Sequence, residues 1–300
     1  MQATEPSAAP GRPKQASAPS GGSAALALSA TADSGAVASV GAPLDYLLHL
    51  ADNALVLGQR NAEWCGHGPV LEEDIALANI SVDLIGQARL LYQHAANVKG
   101  DGATEDNLAY FRDAPEFRNF TLLELPHSVE GGERDYAVTI VRNFLYSTLM
   151  VLLWDALQSA SDPQLGAIAE RSVKETRYHL RHSRDWLVRL GDGTAESHRR
   201  TQAALTHLMP YTLEFWVEHA TEGTANSSAT SVQGAGFSAA SLRSEWQALI
   251  DSALQEATLV PPAFTPTVVP QGKFGLHSEH LAVLLSEMQS LARQHPEAKW

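Results

Sequence analysis

Glu175 and His179 stand one helical turn apart in the run KETRYHLR. A carboxylate and an imidazole on one face of a long helix are how a bundle protein starts to build a metal site. The two-iron version has a strict recipe. It takes a Glu from each of two helices and a Glu-x-x-His pair from each of two others, because two hard cations need bridging oxygens and each imidazole completes one coordination sphere. A single Glu-x-x-His spacing occurs, Glu124-Leu-Pro-His127, and its proline places it in a loop as a chance match. Elsewhere the positions are compromised. Glu175 has Tyr178 three residues on and His179 one step late, while Asp83 has Gly86 at that place and Gln87 beside it. Glu63 is what the first helix offers, and residues 143–151 of the third bring no carboxylate, only Ser147 and Thr148. The expectation is a bundle shaped for two irons without the means to hold them. Catalytic, cofactor-binding and metal-ligating residues are all expected to be absent. Glu63, Asp83, Gln87, Glu175 and His179 are expected to form a buried polar network, since buried polar groups persist when they are bonded to one another.

The helices that would position these residues are legible from spacing. Asp162-Pro163 is a helix start, and Gly191-Asp192-Gly193 an end at which glycine supplies a positive φ. Between them Leu165, Ala169, Ser172, Thr176, Ser183, Leu187 and Leu190 share an inward side and Lys174, Arg177, Arg181 and Arg184 the opposite one. A first helix runs from Leu44 to about Trp64 and a second from about Val70 to Val98. The second is apolar nearly all round, which predicts a central position. A third spans about Asp135–Ser159, after a long connection over 100–134. Shorter helices are expected at Glu196–His219, Ser241–Thr258 and Ser278–Gln294. His179 and His182 with Arg177 and Arg181 read as a solvated helix face rather than an anion site. Glu214–His219, and His277 and His280 beside Glu279, read as helix surfaces. The fold is an all-α antiparallel four-helix bundle with two or three accessory helices.

Composition narrows the function classes. The chain has 300 residues, 44% hydrophobic and 18% charged, with a net charge of −13. That balance argues against nucleic acid as a partner. No apolar run reaches the roughly 18 residues that would suggest a membrane span. The lone Cys65 suits a reducing compartment, and a cytoplasmic location is expected. Residues 1–41 are almost entirely Ala, Ser, Gly, Pro and Thr, and are expected to be a disordered tail ahead of one helical domain over 42–300. Their apolar stretch is too short and too late for a secretory signal. The run GTANSSATSVQGAGFSAA at 223–240 is expected to be a mobile loop.

Five stretches carry a resemblance: RNAEWCGH at 60–67, LANISVDLIGQAR at 77–89, SDPQL at 161–165, KETRYHLR at 174–181 and GLHSEHLAVLLSEMQ at 275–289. Together they closely resemble the C subunits of ring 1,2-phenylacetyl-CoA epoxidases, bacterial multicomponent monooxygenases, from about Pro43 to Trp300. The resemblance implies a ferritin-like bundle that is the metal-free structural partner of a homologous di-iron catalytic subunit, with a small accessory subunit. A reductase component using NADPH would supply electrons. Two other readings stay open at this point: an active di-iron oxidase with an unusual ligand set, and a stand-alone helical interaction protein.

Overall fold

The computed structural model describes residues 41–129, 131–218, 238–264 and 269–298. The expected tail, all but Gly41, lies outside them, as does the expected loop except for its last three residues. In chain order the helices are α1 (Leu44–Ala62), α2 (Leu71–Lys99), α3 (Glu105–Tyr110), α4 (Thr121–Glu124) and α5 (Tyr136–Leu157). They continue with α6 (Pro163–Gly191), α7 (Ala195–Leu208), α8 (Arg243–Glu256) and α9 (Glu279–Gln294). No strand occurs among the described residues, only an isolated antiparallel bridge between Gln271 and Leu276. The four long helices pair as α1 with α2 and α5 with α6, and α2 joins the pairs by packing on α6. This is the antiparallel bundle expected, with α7, α8 and α9 as its accessory helices.

Local chemistry sets the ends. Asp162 caps α6 by accepting from the backbone N–H groups of Gln164 at 2.9 Å and Leu165 at 3.1 Å. It also accepts from Ala42 N at 2.7 Å and His94 Nε2 at 2.8 Å, so one carboxylate ties the start of α6 to α2 and to the chain entering α1. Burial pushes its carboxyl up, but these donors outweigh that and hold it below the usual range. The other end of α6 departs from expectation. Gly191 closes the helix without a positive φ, and its lack of a side chain serves packing instead. A Cβ there would sit 2.3 Å from the carbonyl oxygen of Ala257.

Helix α5 is the centre of the bundle. Its Leu145, Leu149 and Leu153 are buried, as are Arg142, Asn143, Ser147 and Thr148. It is also long and apolar enough to cross a membrane by length and composition, contrary to the sequence expectation, yet 94% of that stretch is buried inside the protein. Helix α2 is the reverse case. Leu77, Ile80, Leu84 and Leu91 are buried, but Leu71, Ile75 and Val82 are exposed, so the helix expected to be central presents an apolar face to solvent. The connection over 100–134 is more structured than expected. It contains α3, α4 and a 3-10 turn at Ala114–Glu116, and buries Phe117, Phe120, Leu122 and Leu123. The helix expected at Glu196–His219 turns at Met209 into a 3-10 segment, Met209–Trp216, where Pro210 cannot donate to an α-helical ladder.

Candidate functional site

Helices α2 and α6 run antiparallel, which sets the polar residues of α2 against those of α6. Gln87 Nε2 donates to Glu175 Oε2 at 3.0 Å, and His179 Nε2 donates to Asp83 Oδ2 at 3.0 Å. Gln87 and His179 are buried, whereas Asp83 and Glu175 are half-buried at the rim. The other oxygen of Glu175 faces Arg171 Nε at 3.4 Å. Four of the five expected network members therefore meet, as two bonded pairs across one seam. Glu63 does not join them. It caps the C-terminus of α1, 2.6 Å from Arg60 Nη1 and 3.5 Å from His127 Nε2.

A third pair extends the seam towards the start of α2. His182 Nε2 donates to Glu73 Oε2 at 2.8 Å, and the Tyr136 hydroxyl donates to the same oxygen at 2.6 Å. Burial raises the Glu73 carboxyl, but these two donors and the charge of His182 outweigh it, leaving it below the usual carboxylate range. Burial and the neighbouring Glu73 push the Tyr136 phenol well above its ordinary value. His182 is thus a fixed member of the helix interface, which corrects its reading as part of a solvated face.

On the opposite side of the bundle the donor set thins out. Asn61 and Asn143 pair with each other, Asn61 Nδ2 to Asn143 Oδ1 and Asn143 Nδ2 to Asn61 Oδ1, each at 2.9 Å. Thr148 turns its hydroxyl to the carbonyl of Phe144 at 2.7 Å. Among the described residues no three His, Cys, Asp or Glu side chains are grouped so that they would hold a metal ion. A two-iron centre needs carboxylates from all four helices. Helices α1 and α5 face each other with the amides Asn61 and Asn143, and the carboxylates Asp52 of α1 and Glu63 at its end are bonded to Arg112 and Arg60 instead. The donors present do not fit such a centre.

Three fully buried carboxylates differ from the sequence expectation: Asp52 is not singled out there, Glu124 is expected in a loop but ends α4, and Glu214 is expected on a helix surface. Asp52 of α1 accepts from Tyr92 Oη at 2.5 Å, Arg118 N at 2.7 Å and both terminal nitrogens of Arg112. Its charge, working against burial, raises Arg112 above the ordinary guanidinium value. Glu124 accepts from Asn119 Nδ2 at 2.9 Å, His277 Nδ1 at 2.8 Å and Ser278 N at 2.5 Å. Glu214 accepts from Thr121 N at 2.8 Å and Lys273 N at 2.7 Å. Glu214 and His277 are therefore interior anchors rather than helix-surface residues. Burial lowers His277, but the bond to Glu124 and its charge bring it above the usual histidine value. Burial pushes Glu214 up.

His127 and Glu124 bond to different partners, so the Glu-x-x-His spacing is no ligand pair. His127 Nε2 donates to the carbonyl of Arg60 at 2.7 Å, and its Nδ1 accepts from Thr139 Oγ1 at 2.6 Å. Burial, with the nearby Arg142 guanidinium, drives its pKa down to about 2 and keeps it neutral. The signal for all these anchors is a charged or polar residue interrupting an apolar run, as Asp52 and Asn53 do within Leu47–Leu57.

Comparison with known proteins places this geometry. The family model for the phenylacetic acid catabolic protein matches residues 29–300. Among curated proteins, the C subunit of the 1,2-phenylacetyl-CoA epoxidase of Escherichia coli (strain K12) is 42% identical over 255 residues, covering 85% of this chain and 98% of that relative.

Proposed function

This chain belongs to the phenylacetic acid catabolic protein family, and on that footing we propose that it is a non-catalytic structural subunit of a monooxygenase complex that epoxidises the aromatic ring of phenylacetyl-CoA. Its partner is a homologous catalytic subunit holding two irons, with a small accessory subunit and a reductase that draws on NADPH. In that reaction one atom of O2 enters the ring and the other leaves as water, taking two electrons from the reductase and two protons. The chain itself brings no cofactor and no reacting group. Its contribution is a rigid bundle on which the catalytic subunit is held.

One observation supports the non-catalytic role above the others. The ligand-type side chains of the α2–α6 seam already bond to one another, Gln87 to Glu175 and Asp83 to His179. The carboxylates Asp52 of α1 and Glu63 at its end are engaged elsewhere, Asp52 with Arg112 and Glu63 with Arg60. A carboxylate whose oxygens are committed to an amide and a guanidinium is organised as a clamp between helices. The test is co-expression with the catalytic subunit followed by metal analysis of the complex and of this chain alone. The two chains are expected to co-purify, and iron to follow the catalytic subunit. Stoichiometric iron in the isolated chain, lost in both Glu175→Gln and Asp83→Asn, would promote the oxidase reading. Failure to co-purify would promote the stand-alone one.

A further inference from the structure

A cavity opens where the short helix α3 meets the C-terminal end of α9. Its volume is about 470 Å³, and Asp106, Tyr110, Phe111, Met288, Leu291 and His295 are among the residues that line it. That volume lies in the range of small-molecule sites. The walls are fixed without a ligand. Gln289 Nε2 of α9 donates to the carbonyls of Ala109 at 3.2 Å and Arg112 at 3.0 Å. Arg293 Nε donates to the carbonyl of Tyr110 at 3.2 Å, and its Nη2 to that of Arg112 at 2.8 Å. A site already held open spares its ligand the cost of ordering it. On the apolar side Phe111 and Leu291 are 37% and 54% exposed, and both wall the cavity.

The polar side says what kind of ligand fits. Four carboxylates fall within residues 105–116, and three of them are engaged. Glu105 accepts from Gln93 Nε2 at 3.0 Å, Asp113 pairs with Arg293 at 3.0 Å, and Glu116 accepts from the backbone N–H of Asp113 at 2.8 Å. The fourth is Asp106, which lines the cavity and makes no hydrogen bond or ion pair among the described residues. The Tyr110 hydroxyl, one turn further along α3, and the His295 ring are likewise unengaged. Burial and the charge of Asp106 push the Tyr110 phenol up, so it stays protonated and offers a donor and an acceptor. Arg89 and Arg293 are occupied by Glu105 and Asp113 and leave the charge of Asp106 uncompensated. A free carboxylate beside an aromatic ring and an apolar wall suits an ammonium group on an apolar body. An anionic ligand would meet Asp106 on a chain of net charge −13.

We propose that the cavity between α3 and α9 binds a small organic ammonium with an aromatic or aliphatic body. Asp106 takes the charge, Tyr110 and His295 supply further polar contacts, and Phe111, Met288 and Leu291 pack on the body. The site is independent of the structural-subunit reading, and neither needs the other.

The test is calorimetric titration of the full chain with four probes: tryptamine, its neutral counterpart tryptophol, its anionic counterpart indole-acetate, and ethylammonium, which lacks the body. Tryptamine is expected to bind saturably, one per chain. Tryptophol should bind about tenfold more weakly, the worth of a charge-assisted hydrogen bond. Indole-acetate and ethylammonium should bind more weakly still. Asp106→Asn should weaken tryptamine about tenfold and leave tryptophol unchanged. Ala292→Trp, at a position lining the cavity, should fill it and abolish binding of every probe. Unfolding midpoints check the fold of both variants. Asp106 is exposed and unpaired, so its variant keeps the test decisive even where Ala292→Trp does not fold. Absence of saturable tryptamine binding overturns the proposal. So does tryptamine binding to Asp106→Asn within threefold of wild type, which would put the ligand elsewhere. Tryptophol binding as tightly as tryptamine overturns it too, by removing the ammonium from recognition.

Discussion

Removing Glu175 should lower stability and leave iron untouched. In Glu175→Ala the buried Nε2 of Gln87 loses its acceptor at 3.0 Å. An orphaned buried donor costs about 1–3 kcal/mol. The Glu175 side chain is 23% exposed, so water reaches the gap and the lower half of that range applies, about 1–2 kcal/mol. The link to Arg171 adds at most a few tenths of a kcal/mol, because its partner is 64% exposed and the contact is 3.4 Å. For a domain of this size, about 1–2 kcal/mol lowers Tm by roughly 2–8 °C. Glu175→Gln keeps an oxygen that can accept from Gln87 and should lose less than half as much. The assay is thermal and urea unfolding of the isolated chain, with iron per catalytic subunit measured in the complex. Equal stability of all three proteins would refute the clamp. A loss of iron and turnover in Glu175→Gln, with the fold intact, would refute it from the other side.

Two further outcomes follow from buried charges. His127 is held neutral in the folded state, with its pKa depressed to about 2, whereas the unfolded chain takes up a proton near 6.5. Its contribution is complete above the unfolded value and is lost as pH falls from there towards the folded one. One pH unit below the unfolded value the loss is ~1.4 kcal/mol, and His127→Gln should remove that share of the pH dependence of unfolding. His277, whose pKa is raised, acts oppositely: its contribution is present below the unfolded value and lost as pH rises through the folded one, so the comparison of wild type with His127→Gln is the one to read. Asp52→Ala leaves Arg112 buried without its counter-charge and should cost about 3–5 kcal/mol in urea unfolding. Adding Arg112→Leu should recover part of that loss.

The long helices were legible because each carries its signal locally. Asp162-Pro163 starts α6 in sequence and in structure, and Gly100-Asp101-Gly102 ends α2 with positive φ at all three residues. The pairing of Asp83 with His179 and Gln87 with Glu175 was not local. What spacing supplied was the inward direction of each residue, and antiparallel packing then brought them together. The anchors at Asp52, Glu124 and Glu214 stayed hidden for a different reason. Most of their partners lie 40 to 154 residues away in sequence and are largely backbone N–H groups and a loop arginine, which have no periodicity to read. The α2 misreading has the same root. Apolarity all round a helix predicts burial on all sides, but it does not say whether the cover comes from the same chain.

The most direct measurement is turnover of phenylacetyl-CoA by the purified catalytic subunit and reductase, with and without this chain, and with a variant carrying Asp83→Asn, Glu175→Gln and His179→Gln. Product formation is expected to rise with added chain until the two subunits are equimolar. The triple variant should support the same rate per complex formed, because the proposed role gives none of the three residues a part in handling iron, oxygen or substrate. Turnover by this chain and the reductase without the catalytic subunit would contradict the account, as would a folded, fully assembled triple variant that turns over nothing.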